Sequence, residues 1–111
     1  METIEWAEFE KVKLVAGTIV SVEDFPEARK AAYKLQIDLG PHIGIKNSSA
    51  QITKLYPKDE LLGKQVLCVV NFKPKKIGPF FSEVLTTGII QGDEVVLMVP
   101  ERAVPNGTRL A

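Results

Sequence analysis

At 111 residues, with 45% hydrophobic and 25% charged side chains and a formal net charge of zero, the chain has the make-up of one globular domain with a modest core. A single cysteine, Cys68, excludes an internal disulfide framework. The apolar runs are far too short to cross a bilayer, and the acidic start METIEWAEFE lacks the apolar segment of a signal peptide, so a cytoplasmic setting is expected.

Thr3 is placed to cap a short helix over residues 4–10, with Trp6 and Phe9 on a shared face. Two turns do not stand alone, so this helix must dock, either on its own barrel or on a second subunit. VKLVAGTIVSVE (12–23) reads as a long first strand, with Gly17 marking a bulge or bend. DFPEARKAA is a loop carrying Arg29 and Lys30. In the second strand, Tyr33, Leu35, Ile37 and Leu39 alternate with Lys34, Gln36 and Asp38. After Gly40-Pro41, HIGIK (42–46) predicts a short third strand with Ile43 and Ile45 inward. Ser48 and Gln51 have capping-box spacing, so a short helix is expected from there, stopping before Pro57. Strand four is expected over 64–72 with Cys68 buried, strand five over 83–91, and a further β segment over 94–99. Val104-Pro105-Asn106-Gly107 predicts a β-turn in the tail.

Three strands, a short helix, then two or three strands, joined by short turns, is the plan of an all-β OB-fold. The expected architecture is one domain over residues 1–111: a five-stranded Greek-key barrel, a helix between strands three and four, and short N- and C-terminal extensions. In such a barrel, oligonucleotides lie across strands two and three and under the loops joining strands one–two and four–five. Those loops here are DFPEARKAA and NFKPKKIGPFF, which carry Arg29, Lys30, Lys73, Lys75 and Lys76. The second interleaves its cations with Phe72, Phe80 and Phe81, the mixture that single-stranded nucleic acid requires. The neutral total hides an asymmetry in the same direction. Residues 46–76 hold seven lysines, Lys46 and Lys54 among them, against Asp59 and Glu60, a local charge of +5.

Catalytic and metal-binding patterns are missing. The one histidine, His42, follows a Gly-Pro turn with no Ser, Cys or acid beside it; one Cys and one His match no ligand spacing; and GIKNSS lacks the ending of a phosphate loop. The sequence reads as a non-enzyme with no cofactor and no metal.

The blocks VSVEDFPEARKAAYKLQIDLG, GIKNSSAQITKLY and VVNFKPKKIGPFFSEVL, with PNGT in the tail, resemble the tRNA-binding OB-fold domain. That domain is found at the C-terminus of many methionyl-tRNA synthetases and in small free-standing proteins. The similarity runs from Phe9 to Arg109 and is closest to the free-standing CsaA-type branch, whose members are described as homodimeric, tRNA-binding and export-related chaperones. The resemblance implies a family block on Asn71, Pro74 and Lys76, a serine on Ser82, and a block on Lys46, Asn47, Ser48 and Gln51, where a helix start beside Lys46 would suit a phosphate. It departs from the synthetase pattern after Ser82, where Glu83-Val84 replaces a Gly-Met pair. The implied partner is tRNA, with unfolded or exported polypeptides or a tRNA synthetase as alternatives. A homodimer joined through Ile4, Trp6, Phe9, Val104 and Leu110 is also expected.

Overall fold

A long, bent first strand organises the molecule. In the computed structural model, which describes residues 1–111, β1 (Leu14–Asp24) pairs antiparallel with β4 (Gln65–Val69) over Leu14–Thr18 and with β2 (Tyr33–Asp38) from Thr18 onward. One strand thereby serves two sides of a small barrel. The bend is a register slip between Ile19 and Ser21, a little beyond the expected Gly17. Gly17 has a different reason to be glycine: a Cβ there would lie 2.6 Å from Leu39 Cδ2 and 2.7 Å from Ile37 Cγ2, where β1 passes the end of β2.

β2 pairs with β3 (Ile45–Ala50), and β4 with the two-residue β7 (Leu85–Thr86), giving the sheet order β3-β2-β1-β4-β7. The ends meet. Asn47 O accepts the amides of Glu83 and Val84 at 2.8 and 3.2 Å, and the buried hydroxyls of Ser48 and Thr86 lie 2.8 Å apart. This nearly closed, five-stranded antiparallel barrel is an OB-fold. Ile19, Leu35, Ile37, Leu39, Leu61, Val66 and Cys68 fill it, each at most 1% exposed, and each large aliphatic side chain contributes roughly 1.5–3 kcal/mol by burial.

Two further hairpins decorate the barrel: β5 (Lys75–Ile77) with β6 (Phe80–Ser82), and β8 (Gly88–Gln91) with β9 (Glu94–Leu97). α1 (Trp6–Glu10) is capped by Glu5, not Thr3, with Glu8 Oε1 accepting the Glu5 amide at 3.0 Å. The tail pairs with the first half of β1: Ala16 N donates to Thr108 O (2.9 Å), Gly107 N to Ala16 O (2.7 Å) and Leu110 N to Leu14 O (2.8 Å). Here Gly107, at φ +91°, and Gly40, at φ +92°, cross so closely that a Cβ on Gly40 would lie 2.4 Å from Asn106 O. The turn is Pro105–Thr108, one residue later than expected.

Three further sequence expectations are corrected. The third strand is Ile45–Ala50 and not 42–46, so Ile43 is half-buried and Ile45 is exposed. No helix starts at Ser48. The capping-box spacing is accidental, because Ser48 is an inward strand residue whose hydroxyl is satisfied across the barrel by Thr86; the helix α2 (Lys58–Leu61) begins after Pro57 and does not end before it. The expected fifth strand breaks at Thr87, whose backbone and hydroxyl bond to Leu67 O and Met98 N, and the chain then leaves the barrel as β8.

Candidate nucleic-acid interface

The basic segment after β4 folds on itself. Lys75 pairs with Ser82, Lys76 with Phe81 and Ile77 with Phe80, around a turn in which Gly78 takes φ +57°. Strand alternation puts Lys75, Ile77, Phe80 and Ser82 on one face and Lys76 and Phe81 on the other. Lys76 Nζ lies 5.9 Å from the Phe81 ring on that outer, exposed face. Ser82 Oγ accepts the Ser49 amide at 2.9 Å and so holds the hairpin against β3. The loop between β1 and β2 meets it as well. Phe25 and Phe80 pack edge-to-face at 5.3 Å, and a Cβ on Gly78 would be 3.5 Å from that of Glu27.

Beside the hairpin lies a hollow of about 560 Å³, walled by Ser49, Gln51, Phe72, Lys73, Lys75 and Ser82. Glu83 stands at its rim. One carboxylate oxygen accepts the Asn47 amide at 3.0 Å, and the other lies 3.8 Å from Lys46 Nζ. A second hollow of about 280 Å³ includes Asn47, Gln36, Lys34 and Phe80.

Of the residues singled out in sequence, Lys73, Lys75, Gln51 and Ser82 come together in the larger hollow. Lys46 is tied to Glu83, and Asn47 lines the smaller hollow. Lys76 is on the outer face of the hairpin, and Arg29 and Lys30 are exposed on the adjoining loop. The others have structural duties. Lys54 is ion-paired with Asp93 in the β8–β9 turn, which holds the Asp93 carboxyl below the usual carboxylate range. Asn71 binds the N-terminal segment, donating to Lys11 O (2.7 Å) and accepting from Lys13 N (3.0 Å). Ser48 is fully buried in the barrel seam, so the helix-start phosphate site at Ser48 does not exist. Ser49, Lys34 and Gln36 were missed; the alternation of YKLQID already placed the last two outward.

Away from this face, Trp6 and Phe9 pack at 5.2 Å between ring centroids and, with Val12, Ile43, Val70 and Leu110, line an apolar groove of about 360 Å³. Trp6 is 64% exposed and Ile4 57% exposed, while Val104 lies elsewhere, its backbone held by Gln65. His42 is exposed, Cys68 is buried, and no three His, Cys, Asp or Glu side chains gather as a metal site. No helix is long and apolar enough to cross a membrane.

An OB barrel with a basic, aromatic hairpin clamped to its third strand has the build of an oligonucleotide-binding module. The family described as "Putative tRNA binding domain" matches residues 14–109, and the chain belongs to that family. Two solved structures superpose over nearly the whole chain. The CsaA chaperone protein of Picrophilus torridus shares 50% identity at a TM-score of 0.93, covering 98% of this chain and 100% of that one. The chaperone CsaA of Bacillus anthracis shares 42% identity, also at 0.93, covering 99% and 100%. The methionine–tRNA ligase of Thermococcus onnurineus is 33% identical over 110 residues, which is 99% of this chain and 15% of that protein. The chain thus spans about 15% of the length of the curated relatives it matches.

Proposed function

We propose that residues 1–111 form a single, non-catalytic tRNA-binding domain that acts in the cytoplasm and grips RNA through the face made by β2, β3 and the β5–β6 hairpin. One observation carries this reading: Lys73 and Lys75 have no carboxylate partner and share a hollow with Phe72, Ser49 and Gln51, whereas Lys46, Lys54 and Lys58 of the same basic stretch are ion-paired. Free cations next to an exposed aromatic suit a backbone with unpaired bases. Arg29 and Lys30 extend the positive surface along the adjoining loop.

A few phosphate contacts hold weakly at physiological salt. Two copies paired through the apolar groove at Trp6, Phe9 and Leu110 would present two such faces to one RNA, with avidity of about 10²–10⁴ where the geometry permits both to engage. The proposed assembly is therefore a symmetric homodimer.

The second reading is a holder of unfolded or exported polypeptide. It is favoured by Ile77, Val84 and Leu85 in the same hollow and by the two structures named as chaperones. Titration of total tRNA and of an unfolded polypeptide at several salt concentrations separates the two. Saturable tRNA binding is expected, with a log–log salt slope that falls by about 0.7–0.9 in each of Lys73→Ala and Lys75→Ala. If the polypeptide saturates at low salt and tRNA does not, the polypeptide reading replaces the first.

A further inference from the structure

The smaller hollow, bordered by Phe80, differs in chemistry from the lysine-lined one. Its floor is a row of side chains set by register: Ser21 opposite Gln36, and Gln36 opposite Asn47, on three adjacent strands. Asn47 enters the chain's own hydrogen bonding through its backbone, which leaves its carboxamide beside that of Gln36. The wall is Phe80, fixed by its contact with the buried Phe25. Lys34 closes one side, with Nζ 5.5 Å from the Phe25 centroid, 6.0 Å from that of Phe80 and 3.9 Å from Glu23 Oε2.

The pairing of Lys34 with Glu23 decides what fits. A phosphate placed here would meet a carboxylate, and the one cation is already engaged, so the hollow is poorly suited to backbone. A neutral, flat, hydrogen-bonding ring meets no such conflict. Two adjacent carboxamides offer donors and acceptors together, and Asn or Gln recognises adenine by bidentate contact; unpaired RNA bases are read along such edges when splayed from their stack.

We propose that the hollow formed by Gln36, Asn47, Phe80 and Lys34 seats one unstacked base of the RNA, adenine by preference, while Lys73 and Lys75 in the larger hollow hold phosphate. This rests on the RNA-binding reading above and adds to it a division of labour. The hairpin contributes to both: Phe80 borders the base seat and Lys75 the hollow for backbone.

The test compares an oligoadenylate of about eight nucleotides with a ribose-phosphate chain of equal length lacking bases, and with tRNA, on the intact protein. Wild-type protein should favour oligoadenylate over the abasic chain by about ten-fold or more. Gln36→Ala, and separately Asn47→Ala, should remove most of that preference and weaken tRNA binding while leaving the salt slope unchanged; Lys75→Ala should do the reverse. Gln36 is exposed, so its variant tests recognition without disturbing the core. If both amide variants keep the wild-type preference while Lys75→Ala flattens the slope, the base seat is wrong and the RNA reading stands. A flatter slope in Gln36→Ala would mark a phosphate contact and also overturn the seat. If wild-type protein binds none of the three RNAs, both inferences fall.

Discussion

Glu83 offers a perturbation that should improve binding. Its carboxylate sits 3.8 Å from Lys46 Nζ, with the two side chains 33% and 38% exposed, and its other oxygen accepts the Asn47 amide. It therefore occupies the place a phosphate would take on Lys46, and adds a negative charge to the rim of the lysine-lined hollow. Glu83→Gln removes the charge and keeps an oxygen able to accept from Asn47, so the barrel seam should hold. Freeing Lys46 for one further phosphate steepens the salt slope by about 0.7–0.9; at 0.1 M salt that release multiplies affinity by about 5–8-fold, and by about 2.3–3-fold more at 0.03 M. Because the pair is partly exposed, losing it should lower folding stability by no more than about 1 kcal/mol. Fluorescence anisotropy with labelled tRNA across a salt series measures both numbers, with urea unfolding as the control. Unchanged slope and affinity in a variant of wild-type stability would refute the assignment of Lys46 to phosphate.

Three further outcomes are expected. Ser48→Ala strands the buried Thr86 hydroxyl and should cost about 1–3 kcal/mol in urea unfolding, whereas Ser48→Ala with Thr86→Val should recover much of that loss; simple additivity would contradict the seam. Burial pushes the Cys68 thiol up to about 12 from 9.0, against a smaller opposing effect of Thr86, so the native state holds its proton more tightly than the unfolded chain. Stability from this group is then full below pH 9 and declines as pH rises from about 9 towards 12; Cys68→Val should flatten that decline, and a thiol reagent at pH 8 should label the wild type only on unfolding. Light scattering at micromolar concentration should give twice the mass of one 12.3 kDa chain, and Trp6→Ala should shift it towards one; a variant that stays fully dimeric removes Trp6 from the interface.

What could be read in the sequence depended on whether its signal was local. The second strand declared itself because Tyr33, Leu35 and Ile37 are both alternate and large. The third did not, because its inward positions are Ser48 and Ala50, small residues chosen for a tight closure against Thr86. A local reading gave Ser48 and Gln51 to a helix cap; a contact with residue 86 overrode it. The basic loop was visible as composition, but the three-residue strands of its hairpin, which put Lys75 and Lys76 on opposite faces, were hidden among two prolines, a glycine and three lysines, a run too short to show a period. Partners distant in sequence, Lys46 with Glu83 and Lys54 with Asp93, decide which lysines are free, and no spacing rule reports them.

The pairing of residues 107–110 with the start of β1 also sets the order in which the barrel can form. β1, β2 and β3 are joined by short connections and can assemble as a local meander, whereas the edge of β1 at Leu14–Ala16 waits for a segment from the far end of the sequence. Contacts of such long separation carry a loop-closure cost that the local meander escapes, and are slow to form. If this stitch closes after the rate-limiting step, changes at Gly107 or Thr108 quicken unfolding and leave the folding rate nearly untouched, and stopped-flow chevrons of the two variants measure which.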